Sequence, residues 1–427
     1  MIPGHTEYMR LLYTFSIWFY TLGIRIAALF GHDKARLMVA GWRQWPEQLK
    51  RLDTRRPKIW FHSASLGEFE QARPVLEAYR IGHPDCQIVV SFFSPSGYEI
   101  RKNYSQADSV CYLPMDTPRN AKRFVSAINP HMVFFVKYEF WFNYLNTLRR
   151  RGTKTYLFSS IFRPSQYFFQ WYGSWFLAQL STGFTHLFVQ NNESLRLLRS
   201  HGIEHCSLAG DTRFDRVHQI AQNAESNPVA ERFLAHHVGS VLVAGSTWLP
   251  DEQLLAQARN KGTGWFPKRI ILAPHVISEE HLKQIENLFP DSIRYSQMDQ
   301  DASRNDSDNG PQILIVDNIG LLSKLYRYAT IAYIGGGFGV GIHNILEAVT
   351  FGKPVFFGPN YKKFKEAVDI VACGGGWSID SPADLTDGTF HNLLSQPDLL
   401  AKASKACTDY MQSNLGSTNI ILHTIEE

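Results

Sequence analysis

Cysteine is scarce in this chain of 427 residues, and the few cysteines are scattered. There are five, at positions 86, 111, 206, 373 and 407, and no two of them form a Cys-x-x-Cys pair. An odd number without close pairs indicates neither a disulfide framework nor a cysteine-based zinc site. The pattern is typical of a protein from a reducing, cytoplasmic compartment.

A strong charge of either sign is also missing. Charged residues make up 19% of the chain, the formal net charge is +4, and lysine and arginine do not gather into long runs. A nucleic-acid-binding protein is therefore not expected, although weak association with anionic lipid remains compatible with this charge. With 44% hydrophobic residues, the chain is globular and long enough for two domains of ordinary size.

The chain lacks a long unbroken apolar run, but its N-terminus comes close to one. No charged side chain occurs from Leu11 to Ile24, and after Arg25 the apolar run resumes as far as Phe30. Arg25 leaves the uncharged stretch short of the ~18 residues that a spanning helix usually requires. No small-residue cleavage site follows. We predict an uncleaved membrane anchor or interfacial helix over residues 1–34, with Arg25 reaching the headgroups; a helix packed on the protein's own core is the alternative.

Short β-favouring runs alternate with helical or turn-rich segments twice along the chain. Strands are predicted at 59–62, 87–93, 109–113, 132–136, 155–159 and 187–190, and again at 241–245, 270–272, 313–316, 331–334 and 354–357. Each alternation predicts a parallel sheet with helices on both faces. The expected domains are residues 35–221 and 239–396, with a linker at 222–238 and C-terminal helices at 397–427.

An acidic residue follows the first predicted strand. The small residues of 63–67 form a turn, so Glu68 lies near the start of the next helix. Ligands bind open α/β sheets at the carboxyl ends of strands, and we therefore predict that Glu68 is a catalytic base; a simple helix cap is the alternative. Glu139 follows the fourth strand and is predicted to lie at the same edge. Small and polar residues of these loops are predicted to bind an acceptor: Ser65, Gly67, Ser94 and Ser96.

A glycine run follows the strand at 331–334. Gly335, Gly336 and Gly337 are predicted to open a helix whose free N–H groups face an anion, the placement that a phosphate-cradling loop requires. His343 and Glu347 are four residues apart and would share a face of that helix, with Asn344 beside them. Further ligand contacts are predicted at the ends of two other strands: Ser246, Thr247, Pro274 and His275. Together these residues predict a nucleotide site.

Two other segments have less specific interpretations. The aromatic segment 163–176 is predicted to be a core helix or, alternatively, a surface that contacts the membrane or acyl chains. The segment 299–310 is acidic and is expected to be a surface loop. Its Asp-x-Asp pairs, 299–301 and 306–308, superficially match those of metal-dependent sugar transferases, but no strand precedes either pair, so no metal site is expected.

The ordered motifs resemble a known family. They are His62-Ser63-Ala64-Ser65-Leu66-Gly67-Glu68, Lys137-Tyr138-Glu139-Phe140-Trp141-Phe142-Asn143, Gly210-Asp211-Thr212-Arg213-Phe214-Asp215, Gly245-Ser246-Thr247, Gly335-Gly336-Gly337 and His343-Asn344-Ile345-Leu346-Glu347. This set is similar to that of the 3-deoxy-D-manno-octulosonic acid (Kdo) transferases of lipopolysaccharide synthesis, as far as about residue 371. The resemblance implies the GT-B fold, an α/β architecture of two Rossmann-like domains facing each other across a cleft.

The same resemblance implies a function. The expected reaction is transfer of Kdo from CMP-Kdo to a lipid A precursor at the inner face of the cytoplasmic membrane. Glu68 would be the base, Glu139 would support the acceptor side, and Arg213, Asn344 and Glu347 would lie around the donor. The single phosphate of a CMP leaving group can be offset by N–H groups, a helix dipole and Arg213, so neither a metal nor another cofactor is expected. The alternatives are a transferase or epimerase that uses a UDP-sugar, and a non-enzymatic envelope scaffold at the membrane.

Overall fold

The computed structural model describes residues 3–262, 264–300, 310–386 and 388–426. The Asp-x-Asp pair 306–308 lies outside these ranges, as does residue 301 of the other pair. The chain forms two compact units, one of residues 1–216 with 415–427 and one of residues 217–414.

The first unit is built on a parallel sheet of seven strands. They are β1 (Lys58–Ser63), β2 (Gln87–Phe92), β3 (Ser109–Tyr112), β4 (Met132–Val136), β5 (Lys154–Ser160), β6 (His186–Val189) and β7 (Cys206–Leu208), in the order β3-β2-β1-β4-β5-β6-β7. The six predicted strands are confirmed. The edge strand β7 was missed because its residues, Cys206–Leu208, are only partly buried and form no continuous apolar run.

Helices cover both faces of this sheet. They are α1 (Pro3–Leu29), α2 (Asp33–Leu49), α3 (Leu66–Gly82), α4 (Pro95–Arg101), α5 (Pro118–Ile128), α6 (Phe142–Arg150), α7 (Ser174–Gly183), α8 (Asn192–Ser200) and the start of α9 (Thr212–Gln222), with a 3₁₀ turn η1 (Tyr167–Phe169). Every residue of β1 is buried because alternate side chains enter different cores. Trp60 packs in one core and Phe61 in the other.

Helix α1 packs on the first unit along one side. Ile17 is buried, Met9 and Tyr13 pack against one core, and Ile24 packs against the other. The opposite face carries large apolar side chains in the open, including Phe15 and Trp18. By length and composition, the window Glu7–Leu29 is apolar enough to cross a membrane, with a mean hydropathy of 1.3 and 6% of it buried.

The aromatic segment 163–176 does not form one helix. It contains η1 and the first turn of α7. Phe168 and Trp175 are buried in the core, whereas Trp171 is 93% exposed. The segment therefore contributes both to the core and to an exposed aromatic surface.

The second unit repeats the architecture. Its strands are β8 (Val241–Thr247), β9 (Arg269–Pro274), β10 (Ser292–Arg294), β11 (Ile313–Ile315), β12 (Ile331–Ile334), β13 (Val355–Phe357) and β14 (Gly376–Ser378), all parallel, in the order β10-β11-β9-β8-β12-β13-β14. The five predicted strands are confirmed. The edge strands β10 and β14, three residues each, were missed.

The remaining helices surround this second sheet. They are α10 (Pro228–Leu234), α11 (Leu249–Lys261), α12 (Glu279–Leu288), α13 (Tyr295–Gln300), α14 (Leu322–Leu325), the 3₁₀ turn η2 (Tyr326–Tyr328), α15 (Leu346–Val349), α16 (Lys365–Ala372), α17 (Pro382–Thr386), α18 (Thr389–Ser395) and α19 (Pro397–Asn414). Helix α10 lies within residues 222–238. The last helix, α20 (Ser417–Glu426), belongs to the first unit, where the carboxylate of Asp215 accepts hydrogen bonds from the N–H groups of Gly416 and Thr418.

Candidate functional site

The strand order of each sheet reverses at its first strand in the chain, β1 or β8, and predicted site residues lie at or just after the strands there. In the first unit β1 lies between β2 and β4, and in the second β8 lies between β9 and β12. Glu68 and Glu139 follow β1 and β4, Ser246 is the penultimate residue of β8, and the glycine run follows β12. Chain connections leave such points in opposite directions, which opens a crevice at the carboxyl ends of the strands.

Glu68 lies in the first turn of α3. Its Oε2 accepts hydrogen bonds from the backbone N–H of Ser65, at 3.0 Å, and from the Ser65 hydroxyl, at 3.3 Å. The carboxylate therefore caps the helix, as the simpler interpretation predicted. Partial burial raises the pKa of Glu68, the negative charge of Glu139 raises it further, and Lys137 opposes the shift. A raised pKa at a strand end is a property expected of a general base.

Glu139 is buried at the end of β4 and forms part of a polar network. Its Oε2 lies 2.9 Å from Nε2 of His62, and the indole N–H of Trp141 donates to the same oxygen. His62 is fully buried, and its Nδ1 lies 2.8 Å from the hydroxyl of Ser91. This network fixes the Glu139 carboxylate beside the end of β1.

The roles of His62, Ser91 and Trp141 were missed from the sequence. His62 and Trp141 belong to quoted motifs, but nothing in those motifs shows that His62 pairs with an acid 77 positions away. The contact arises because β1 and β4 are neighbours in the sheet.

The predicted acceptor residues surround the start of α3. The N–H of Ser94 donates to the carbonyl of Ala64 at 2.7 Å, which joins the loops after β1 and β2. The hydroxyls of Ser94 and Ser96 lie 3.0 Å apart. Gly67 is exposed, and a Cβ added to it would meet no atom within 4 Å. A side chain at position 67 would therefore point into open space.

Arg213, predicted to contact the donor, lies in the first unit, in the first turn of α9. Its guanidinium pairs with Asp211 at 2.8 Å, and its own N–H donates to the same carboxylate. Asp211 also accepts from the side-chain amide of Gln71, at 3.1 Å. The other predicted donor residues belong to the second unit.

The glycine run of the second unit is packed closely against its own chain. A Cβ on Gly335 would lie 2.3 Å from the carbonyl oxygen of Ser246, and one on Gly337 would lie 2.5 Å from the nitrogen of Gly358. Gly336 has a φ of +90°. The three glycines are therefore required by packing and backbone conformation, independently of any ligand.

Part of the prediction for this loop was wrong. The N–H groups of Gly339 and Gly341 donate back to the carbonyl of Gly336, so the chain turns on itself before any helix starts. The next helix, α15, has four residues, Leu346–Val349, and His343 and Asn344 precede it. The loop prefers this compact turn because its glycines allow positive φ and close backbone contacts.

Asp251 organises the loop and was not predicted. One of its carboxylate oxygens accepts from the hydroxyl of Tyr333, at 2.6 Å, and the other accepts from the N–H groups of Gly336 and Trp248. The carboxylate is almost fully buried. It therefore joins β12, the glycine loop and the start of α11.

Three rings form a stacked cluster near the ends of β8 and β9, in which His275 packs face to face with both Trp248 and His343. Trp248 lies over His275, with ring centroids 4.8 Å apart, and His275 lies over His343 at 4.3 Å. The indole N–H of Trp248 donates to Nε2 of His343. Burial lowers the pKa of His343 to about 4, with a smaller contribution from His275, so the His343 ring is neutral at physiological pH. The stack offers a flat surface of the kind on which a nucleotide base packs.

Other predicted residues of the second unit have internal partners. Thr247 is fully buried and donates its hydroxyl to Glu252, at 2.9 Å. Pro274 is buried at the end of β9. Ser246 has a left-handed φ of +54°. The Asn344 amide donates to Glu347 at 3.3 Å, so these two residues are adjacent as predicted. In the ranges that the structure describes, no group of three or more His, Cys, Asp or Glu side chains is placed to hold a metal ion.

The depressed pKa of His343 gives an expected pH dependence of stability. Between about pH 6.5 and 4 the unfolded chain binds a proton at this position that the folded chain does not, so stability falls as the pH falls through this window. His343→Gln should make this fall shallower, because glutamine can still accept from Trp248 and does not titrate. The measurement is the urea midpoint of the second unit at pH 7 and pH 5. Exposed His236→Gln is the control. If the urea midpoint falls equally from pH 7 to pH 5 in the unmodified protein and in both variants, the lowered pKa of His343 is not the cause of the fall.

Comparison with known proteins confirms the resemblance seen in the motifs. Residues 43–216 match a family model described as 3-deoxy-D-manno-octulosonic-acid transferase. The 3-deoxy-D-manno-octulosonic acid transferase of Chlamydophila psittaci is 26% identical, over 80% of this chain and 78% of its own. The protein of that name from Haemophilus influenzae is 23% identical, over 86% of each chain.

Solved structures agree on the fold. UDP-GlcNAc 2-epimerase from Neisseria meningitidis superposes with a TM-score of 0.59 at 14% identity, over 86% of this chain and 99% of that one. MurG from Acinetobacter baumannii gives a TM-score of 0.53 at 14% identity, over 87% and 99%. At this identity the likeness concerns the fold alone, and it confirms the GT-B fold class with two parallel α/β sheets.

Proposed function

Because the chain is a relative of the Kdo transferases over most of its length, we propose that it transfers Kdo from CMP-Kdo to a lipid A precursor. The proposed reaction inverts the anomeric centre. The acceptor hydroxyl loses its proton to Glu68 and its oxygen bonds to the anomeric carbon, while the bond from that carbon to the CMP phosphate breaks.

The observation that carries this proposal is the pair of carboxylates at the reversal point of the first sheet. Glu68 has a raised pKa because it is partly buried and lies near the negative charge of Glu139. Glu139 is held by His62 and Trp141, so its negative charge has a fixed position. A base with a raised pKa accepts a proton more effectively near neutral pH than an ordinary glutamate does.

The second unit is proposed to bind the donor nucleotide. The ring stack of Trp248, His275 and His343 would hold the cytosine base, and Asn344 with Glu347 would bind the ribose hydroxyls. The phosphate would lie beside the glycine loop of the same unit. We propose that transfer needs no metal, and activity that is retained in a chelator such as EDTA would support this.

We further propose that the enzyme works at the cytoplasmic membrane, with both units on the cytoplasmic side. The exposed apolar face of α1 supports membrane association, and Trp171 presents a further aromatic side chain. The direct test is an assay with CMP-Kdo and a tetra-acylated lipid A precursor, in which a Kdo-bearing product is expected by mass spectrometry. Turnover of a UDP-sugar without turnover of CMP-Kdo would refute the proposal.

A base-selective nucleotide site predicts different responses to CMP and UDP. CMP should raise the melting temperature of the protein in proportion to its affinity, whereas UDP should raise it much less. The comparison is made by thermal shift at equal nucleotide concentrations, with the exposed substitution His236→Gln as a control that should behave like the unmodified protein. A larger shift with UDP would favour the epimerase-like alternative.

A further inference from the structure

A cavity lined by arginine lies in the first unit, away from the carboxylates described above. It has a volume of about 810 Å³ and is formed by α1, α2 and the segment from Pro114 into α5. Its lining includes four arginines, Arg25, Arg36, Arg43 and Arg123, and no acidic residue. Throughout the described ranges, none of the four has a carboxylate within ion-pair distance.

The arginines are arranged by their helices. Arg36 and Arg43 are one heptad apart and share a face of α2. The Nε–H of Arg36 donates to the carbonyl of Ala28 near the end of α1, at 3.2 Å, and the guanidinium of Arg123 lies over the ring of Trp45. Like charges brought together without counter-charges repel one another, so this arrangement favours an anion between them.

An apolar cavity adjoins the arginine-lined one. It has a volume of about 440 Å³ and shares Thr21, Arg25, Met115 and Asn120 with its neighbour. Its walls are mainly the side chains of Phe15, Trp18, Phe19 and Leu22, on the exposed face of α1. An anion site thus continues into a groove that is suited to a hydrocarbon chain.

We propose that these two cavities together bind one anionic phospholipid of the bilayer. Its phosphate lies among the four arginines, and an acyl chain lies along the apolar groove. Helix α1 packs on the first unit through Tyr13 and Ile17, so its outward apolar face is free to enter the same leaflet as the lipid.

The lipid site is distinct from the proposed acceptor site. Tyr20 of α1 stacks on Phe93, at 6.3 Å, and Phe93 contacts Trp141, which donates to Glu139. Trp18, which lines the apolar cavity, is two positions from Tyr20 and therefore about 200° away around the helix. The side of α1 that faces the carboxylates is thus different from the side that faces the cavities. The inference goes beyond the proposed function and does not depend on it.

The test uses the full chain with short-chain lipids below their micellar concentration. Dihexanoyl phosphatidylglycerol should raise the melting temperature and give a measurable Kd by calorimetry, whereas dihexanoyl phosphatidylcholine and inorganic phosphate should have little effect. The double substitution Arg36→Gln/Arg43→Gln should weaken phosphatidylglycerol binding at least about tenfold, because two charge-assisted contacts are lost. Leu22→Ser should weaken it through the acyl chain.

The control carries the same change of charge at exposed arginines outside the cavity, Arg51→Gln/Arg55→Gln, and should bind as the unmodified protein does. An equal loss in the control would overturn the proposal in favour of general charge attraction. If inorganic phosphate raises the melting temperature as much as dihexanoyl phosphatidylglycerol does, the cavity binds an anion and the acyl chain contributes nothing, which would overturn the lipid proposal. Competition between phosphatidylglycerol and the lipid A precursor would assign the cavity to the acceptor. None of these measurements requires transfer activity. A negative result for lipid binding can therefore be told apart from a negative result for Kdo transfer.

Discussion

Glu68→Gln is expected to lower the rate of Kdo transfer by about 10³-fold while leaving the affinity for CMP unchanged. Positioned general bases contribute roughly 10² to 10⁴ to a rate, and a glutamine cannot take the proton of the acceptor hydroxyl. The substitution is nearly isosteric. Its amide oxygen can still accept from the N–H of Ser65, so α3 should remain capped. The measurement is turnover with CMP-Kdo and a lipid A precursor, together with calorimetric titration of CMP.

The control separates catalysis from helix capping, because Glu68 takes part in both. Ser65→Ala removes the hydroxyl that reaches Glu68 but keeps the backbone N–H that donates to it. It should cost about 1 kcal/mol of stability or less and only a modest fraction of the rate. Normal turnover in Glu68→Gln would show that Glu68 is a cap and no base. Equal losses of rate in both variants would point to the geometry of the α3 N-terminus instead.

Glu68 could be identified from the sequence because its position depends on local patterns. A buried strand, a turn of small residues and a helical period occupy one short stretch, and each has a clear signature. The same holds for the central strands of both sheets, whose β-branched and aromatic runs are continuous because both faces are buried. Edge strands such as β7 and β14 are only partly buried and mix polar or small residues with apolar ones, so no apolar run marks them.

The partners of these residues could not be identified in the same way. His62 and Glu139 meet only because β1 and β4 pair, and Asp251 reaches Gly336 across 85 positions. The arginine-lined cavity likewise combines α1, α2 and α5, whose arginines look like ordinary surface charges in the sequence. Such contacts depend on strand order and helix packing, which one sequence does not encode in any local pattern.

The glycine loop shows how a correct location can be combined with a wrong local structure. The residues Gly335 to Gly337 follow β12 as predicted, at the reversal point of the second sheet. The prediction assumed that glycine was needed for a ligand, whereas the close contacts are with Ser246 and Gly358 of the same unit. The demands of packing and of binding are therefore distinguishable by substitution within this loop.

Gly335→Ala is expected to destabilise the second unit by about 3 kcal/mol and to abolish stabilisation by CMP. The added Cβ would lie 2.3 Å from the carbonyl oxygen of Ser246 and 2.6 Å from Cα of Thr247. Both atoms belong to the backbone, so no side-chain rotation relieves the overlap, and the cost lies at the upper end of that for overpacking. The measurement is the urea midpoint of the second unit, with and without CMP.

Gly339→Ala is the matched control, because it makes the same change four residues further along the loop. Gly339 is exposed, and its added Cβ would meet only the oxygen of Gly336, at the ordinary contact distance of 3.6 Å. Its stability should stay within about 0.5 kcal/mol of the unmodified protein. If Gly335→Ala melts normally, the close packing of β12 against β8 is wrong. If Gly339→Ala melts normally but loses the response to CMP, the outer turn of the loop contacts the nucleotide, and the loop then serves both packing and binding through different glycines.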